Sequence, residues 1–191
     1  MSNRRLVGLI GTNIQKSLAP FLHEDAFAAA GLVGHYHLMD VDTLPGRTLP
    51  DLLSAARTVG FAGVNITHPF KEAVIPLLDE VSREASEIGA VNTVVFGPDG
   101  RTTGYNTDCS GFRQAFVEAF GPDAARDREV LLLGGGGAGR AVSVALMALG
   151  ASRVRIYDKD TARAGALHAD LAQRFGAARC DLLADPAAAS A

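Results

Sequence analysis

An α/β fold in two parts is predicted by three observations. Short apolar runs alternate with helix-patterned stretches along the chain, as in strand–helix–strand units. The wholly apolar run Val130 to Leu133 leads straight into Gly134, Gly136 and Gly139, at G-x-G-x-x-G spacing, and then into a helix pattern. The strand-like segment Arg153 to Tyr157 that follows ends on an acidic residue, Asp158.

In chain order, Leu6 to Ile10 is predicted as the first strand, and the loop Gly11 to Pro20 has turn chemistry at both ends. Phe21 to Ala30 has helical character, with Phe21, Leu22, Ala26 and Phe27 apolar, His23 expected to be buried and Gly31 closing it. His35 to Val41 alternates polar and apolar, as a strand with one covered face does. A Pro/Gly loop, a helix over Pro50 to Val59 and a short buried strand over Ala62 to Ile66 follow. Pro69 suits the first position of a helix, which is expected to run to about Leu78 with Thr67 or His68 at its cap. Lys71 then falls in the first turn, where the helix dipole repels a cation. Such a lysine is expected to ionise at a lowered pKa, or to be kept for a reason other than stability. Ser82 to Ile88 is a short helix, Ala90 to Phe96 a strand containing Asn92, Gly97 to Gly100 a hairpin turn and Thr102 to Tyr105 the returning strand. Asn106-Thr107-Asp108 is expected to cap a helix from Ser110 to Phe120 that bridges to the second domain. Gly121-Pro122 and the charged run to Glu129 have the composition of a domain boundary. Residues 1–108 are the expected first domain, and 109–191 the bridging helix and the second.

The second domain is organised around its glycines. Val130 to Leu133 reads as a parallel strand buried on both faces. The next helix carries Ala141, Val142, Ala145, Leu146 and Leu149 on one side and stops at Gly150. A second crossover helix over Thr161 to Phe175, a third strand over Ala178 to Leu182 and the low-complexity tail ADPAAASA complete the chain. The first glycine permits a tight turn, the second lets the backbone approach a pyrophosphate, and the third allows close helix–strand packing. Backbone N–H groups at Gly136, Gly137, Ala138 and Gly139, with the helix dipole, can hold the anion. Asp158 can accept hydrogen bonds from a ribose diol, and its charge opposes a 2′-phosphate. This is the Rossmann-type dinucleotide-binding pattern, expected here with three strands at most and therefore incomplete. Its bare apolar face and strand edge predict poor solubility or self-association as a homodimer.

Composition narrows the function. A net charge of −3 without a Lys/Arg cluster argues against nucleic acid as the main partner. Leu6 to Ile10 is too short for a signal-peptide core, and no segment is long enough to span a membrane. Cys109 and Cys180 make neither a disulfide framework nor a metal-ligand spacing, and no metal is expected. They are read as buried or idle thiols, and a cytoplasmic location is expected.

Four segments, in order, resemble the shikimate/quinate dehydrogenase family, and with the glycine loop the resemblance covers essentially the whole chain. Gly11 to His23 (GTNIQKSLAPFLH) is similar to the family's substrate-carboxylate loop, and Val64 to Glu72 (VNITHPFKE) to its catalytic-lysine motif. Ala90 to Thr93 (AVNT) and Tyr105 to Phe112 (YNTDCSGF) match its substrate-asparagine and catalytic-aspartate segments. The resemblance implies reversible hydride transfer between a nicotinamide cofactor and a ring hydroxyl of shikimate or quinate, or their dehydro forms. It implies Ser17 on the substrate carboxylate, Thr67, Asn92 and Asp108 on ring hydroxyls, and Lys71 with Asp108 as the catalytic pair. The chemistry asks for such a pair, because oxidising an alcohol removes a proton as well as a hydride. Taken singly, Lys71 is a solvated lysine, Asp108 a helix cap and Asn92 a turn residue; only their joint occurrence singles them out. His68 can titrate near neutrality and is read as a cap or packing residue.

Two departures stand out. Ala19 replaces a second hydroxyl usual in the carboxylate loop, with Lys16 where a histidine is common. The second half of the dinucleotide domain, and a C-terminal helix carrying a glutamine to the substrate cleft, are not in this chain. NADP readers need cations around the 2′-phosphate, and the family's NADP-linked members carry Asn-Arg-Thr where this chain has Asp158-Lys159-Asp160. The two aspartates favour NAD. Lys159 and Arg163 can turn towards a phosphate, which keeps Arg163 among the cofactor-binding candidates. The leading expectation is an NAD-favouring enzyme. The alternatives are an NADP-dependent biosynthetic shikimate dehydrogenase and an inactive truncated product that only binds ligand.

Overall fold

The computed structural model describes residues 3–185 and residue 187, so most of the tail ADPAAASA lies outside the described residues. The chain divides between Asn106 and Thr107 into two compact units, each with its own sheet.

The first unit contains β1 (Arg4–Gly11), α1 (Ala19–Ala29), β2 (Val33–Asp40), α2 (Leu49–Thr58), β3 (Gly63–Ile66), β4 (Glu80–Val81), α3 (Arg83–Ile88), β5 (Thr93–Phe96) and β6 (Thr102–Tyr105). The sheet order is β2-β1-β3-β5-β6-β4. β1 is parallel to β2 and β3, while β5 runs antiparallel to both β3 and β6. The C-terminal ends of β1, β3 and β6 therefore share one edge of the sheet with the start of β5. The core packs Ile10, Val64, Ile66 and Val94 from the strands against Leu52, Leu53 and Ala56 of α2. The sequence explains α2 well: Leu49, Leu52, Leu53 and Ala56 repeat at helical spacing on its buried side, and Thr48 and Asp51 form a capping box at its start. By contrast α1 buries no residue, and Phe21 and Leu22 are 71% and 69% exposed. His23 is half-buried; its Nδ1 lies 2.9 Å from the Ala19 carbonyl oxygen and its ring stacks on Tyr36.

The helix expected from Pro69 does not form. Residues 69–74 make successive turns instead, with only a short 3₁₀ segment at Ile75–Leu77, and the His68–Pro69 peptide is cis. The Lys71 carbonyl accepts the Val91 N–H at 2.8 Å, so it is drawn out of any local ladder by a strand-linked partner. With no helix there, no helix dipole acts on Lys71. The unforeseen two-residue strand β4, Glu80 and Val81, is held by its pairing with β6. Asn92 lies just before β5 rather than within it.

The second unit contains α4 (Asp108–Phe120), β7 (Glu129–Leu133), α5 (Gly137–Ala148), β8 (Arg153–Tyr157), α6 (Thr161–Phe175) and β9 (Cys180–Leu182). Its strands are all parallel, in the order β7-β8-β9. Leu132, Val154 and Ile156 form one core with Leu146 and Met147 of α5 and Leu167 and Leu171 of α6. Both crossover helices thus cover the same face. β7 is consequently not buried on both faces: Leu131 and Leu133 point to the other side and are 41% and 65% exposed. α4 begins at Asp108 itself, with Thr107 at the cap position, so Asp108 is a first-turn acid that complements the helix dipole rather than a cap. Cys109 and Cys180 are buried and form no disulfide among the described residues. Among the described residues no helix is long and apolar enough to cross a membrane.

Candidate active site

The shared edge of the first sheet gathers the predicted substrate residues of that unit. β1 delivers the loop carrying Ser17, β3 delivers Thr67 and Lys71, and Asn92 stands at the entry to β5. Backbone hydrogen bonds join the segments: Thr12 N–H to the His68 carbonyl at 3.1 Å, Thr67 N–H to Ile10 at 3.0 Å, Ile66 N–H to Asn92 at 2.8 Å and Val91 N–H to Lys71 at 2.8 Å. Gly11 is required at this junction, because a Cβ there would collide with the Thr67 methyl. Thr67 and Lys71 are half-buried, Asn92 is 8% exposed, and His68 is exposed.

The loop that carries Ser17 is pinned by a residue the sequence did not mark. Asp40, at the end of β2, is 1% exposed. Its Oδ1 accepts from Asn13 N–H at 3.1 Å and Asp42 N–H at 3.2 Å, and its Oδ2 from Ile14 N–H at 3.0 Å and Gln15 Nε2 at 3.2 Å. Burial pushes this carboxyl up, but the donors from Ile14, Asp42, Gln15 and Asn13 outweigh it and hold Asp40 below its ordinary pKa. Further along the loop, Ser17 Oγ accepts the Ala19 N–H at 3.2 Å, which leaves its hydroxyl proton to donate outward. Ala19 adds a backbone contact but no second hydroxyl.

Asn92 is held by a polar row also absent from the predicted set. Asn65 Nδ2 donates to the Asn92 carbonyl at 3.3 Å and to Thr93 Oγ1 at 3.1 Å, and Tyr36 Oη donates to Asn65 Oδ1 at 2.8 Å. Burial pushes the Tyr36 phenol up to about 12. Buried Asn106 donates from Nδ2 to the Ala90 carbonyl at 2.9 Å, and Asn92 N–H donates to Tyr105 at 3.0 Å. A polar side chain inside the apolar strand AGVNI was the available signal for Asn65. A cavity of about 280 Å³ opens beside this row, lined by Val7, His23, Phe27, Asn65, Thr93 and Val95. It is largely apolar and none of Ser17, Thr67, Lys71 and Asn92 lines it, so it is a neighbour of the candidate site and not the site. Asp108 belongs to the second unit, two residues after Asn106 closes the first.

In the second unit the glycine loop joins β7 to α5. Gly134 has φ +106°, a conformation glycine alone adopts easily. A Cβ at Gly139 would strike the Gly134 carbonyl oxygen, whereas one at Gly136 would meet nothing within 4 Å. The loop is thus closed on its inner side and open in front of Gly136, where α5 begins at Gly137 and Ala138 follows. This fits a backbone cradle for a pyrophosphate. Asp158, with its side chain 10% exposed, accepts from Gly135 N–H at 2.7 Å and from Asp160 N–H at 2.9 Å. Those two N–H groups hold its carboxyl below the usual range. Asp160 is not a loose second charge: it caps α6 by accepting the Arg163 N–H at 3.1 Å. The Arg163 guanidinium lies 3.9 Å from Asp158 and 3.5 Å from Asp160. The residues present therefore suit an adenosine ribose with free hydroxyls, and a phosphate there would have to compete with both carboxylates for Arg163.

Comparison with known proteins finds similarity across both units. The family model for the shikimate dehydrogenase substrate binding domain matches residues 9–94. The chain is 49% identical to the quinate/shikimate dehydrogenase (NAD(+)) of Corynebacterium efficiens, over 85% of this chain and 57% of that protein. It is 48% identical to the shikimate dehydrogenase (NADP(+)) of Streptomyces avermitilis, over 91% of this chain and 60% of that one. Among solved structures, quinate dehydrogenase from Corynebacterium glutamicum in complex with NAD superposes with a TM-score of 0.84 at 42% identity, covering 94% of this chain and 64% of that one. The chain thus spans less than two thirds of the length of each of these relatives.

Proposed function

Because the chain belongs to the shikimate/quinate dehydrogenase family, we propose that the protein transfers a hydride reversibly between a nicotinamide dinucleotide, NAD in preference to NADP, and a ring hydroxyl of shikimate or quinate. The observation that carries this reading is the meeting of three separate segments at one sheet edge, which gathers a hydroxyl donor, a second hydroxyl, a lysine and an amide around one region. Such a set suits a small polyhydroxylated acid. Ser17 has a hydroxyl proton to offer a carboxylate. Thr67 and Asn92 orient the ring by its hydroxyls, which sets the angle of hydride transfer. Lys71 and Asp108 are proposed as the acid–base residues of the reaction, each by its place in a family-like motif. Gly134, Gly136, Gly137, Ala138 and Gly139 would hold the cofactor's pyrophosphate and Asp158 its adenosine ribose, with Arg163 beside it. The cofactor, when bound, supplies the hydride acceptor or donor.

The test is Lys71→Ala in the full-length protein, assayed with shikimate and quinate. The expected result is a fall in kcat of about two to four orders of magnitude with NAD affinity unchanged. A kcat within a factor of about three of the parent would remove Lys71 from the chemical step.

A further inference from the structure

The polar row beside the site has a single possible direction, and one fixed acceptor sets it. The Asn92 backbone carbonyl, 3.3 Å from Asn65 Nδ2, can only accept. The amino side of the Asn65 amide must therefore face it, which settles an orientation that is otherwise a matter of assignment. Asn65 Oδ1 then faces Tyr36 and receives its hydroxyl proton at 2.8 Å. The same Asn65 Nδ2 donates to Thr93 Oγ1 at 3.1 Å. The one proton of the Thr93 hydroxyl goes to Asn92 Oδ1 at 2.9 Å, its remaining side-chain partner. Asn92 thus has its amide oxygen committed to Thr93, which leaves the amino group as the remaining, donating side of that amide.

We propose that Thr93 is a positioning residue that locks Asn92 as a hydrogen-bond donor, so that the ring oxygen meeting Asn92 must accept. This rests on the reading of Asn92 as a substrate residue. It also says what kind of group is selected. A hydroxyl can accept there only by turning its own proton to another acceptor, and a carbonyl can accept directly. A donor at this position therefore serves both the alcohol and the ketone form of a ring oxygen, whereas an amide turned the other way would reject the ketone. A ring substituent that can only donate, such as an ammonium group, is excluded.

The experiment is steady-state kinetics on the full-length protein with shikimate and quinate. Thr93→Val keeps the shape and removes the hydroxyl. KM should rise about tenfold, the size of one oriented hydrogen bond, while kcat stays within about threefold. Thr93→Ser should restore KM to within about twofold of the parent. In an Asn92→Ala background, Thr93→Val should change KM by less than about twofold, because the two substitutions remove the same contact. Asn92→Asp, which presents an acceptor in place of the donor, should raise KM at least as far as Asn92→Ala. It provides a check independent of how well Thr93→Val folds. If Asn92→Ala raises KM and Thr93→Val does not, or if Thr93→Val acts equally in both backgrounds, Thr93 has no positioning role. If Asn92→Ala leaves KM unchanged, the assignment of Asn92 to the substrate falls instead.

Discussion

The two candidate ligand-binding edges are built from opposite materials. The substrate edge of the first unit is made of side chains on segments held by buried or half-buried partners: Asp40 under the Ser17 loop, Asn65 and Thr93 behind Asn92, and the Val91 N–H on the Lys71 backbone carbonyl. The glycine loop of the second unit is made of missing side chains, with Asp158 as its one anchoring carboxylate. The two should therefore respond differently to substitution. Where side chains do the binding, a lost support misplaces a group and the effect is graded. Where the backbone does the binding, one added carbon blocks the site.

The sharpest test of that contrast is Gly139→Ala. The new Cβ would strike the Gly134 carbonyl, which is backbone and cannot swing aside as a flexible side chain can. NAD affinity should fall by about a hundredfold or more, since the helix can no longer pack against the turn that presents its N–H groups. Titration of NAD into the variant measures this; a dissociation constant within about threefold of the parent would show that the loop tolerates side chains after all. A smaller effect is expected from Asp158→Asn with Asp160→Thr. The parent should favour NAD over NADP by about tenfold or more in kcat/KM, through repulsion between Asp158 and a 2′-phosphate. The double substitution should narrow that ratio or reverse it. Threonine can still cap α6, but an asparagine at 158 holds the Gly135 N–H less strongly than a carboxylate, so part of the change should be lost NAD efficiency. A parent equally efficient with NADP would overturn the NAD assignment.

The contrast also explains what the sequence revealed. A glycine loop is legible because the absence of side chains is itself written in the sequence, at a spacing with few other uses, and α5, β8 and α6 follow from ordinary periodicity and caps. The supports of the substrate edge are not legible, because their meaning depends on partners far along the chain. Asn65 reaches Asn92 across 27 positions and Asp40 reaches Ile14 across 26. The same reason hid the turn at Lys71. Pro69 is a good helix opener locally, but a strand-linked N–H from Val91 claims the carbonyl that a helix would have used. The strand β7 misled differently: an apolar run says that burial is favourable, not that a second layer is there to cover Leu131 and Leu133.

The smallest expected effect, and the most specific to the side-chain edge, belongs to Asp40→Asn. Each carboxylate oxygen of Asp40 accepts two N–H donors. An asparagine amide has one oxygen, so in either orientation its amino group faces two donors and two hydrogen bonds are lost. The Asn13–Gln15 turn should loosen and Ser17 should lose its fixed place. KM for the carboxylate substrate should rise about three- to fivefold with kcat nearly unchanged, as for loss of uniform binding. A pH signature separates this carboxylate from a generic packing contact. Its folded pKa lies below the unfolded value of about 3.9, so its contribution to stability is complete above that pH and is lost as pH falls through the folded pKa. The parent should thus be more stable than Asp40→Asn at pH 7, and the gap between their unfolding midpoints should close on acidification. Thermal unfolding of both proteins from pH 7 down to pH 3 measures the gap. A difference that stayed constant across that range would mean that the Asp40 charge does not hold the loop, and that its hydrogen bonds could be replaced by any side chain of the same shape.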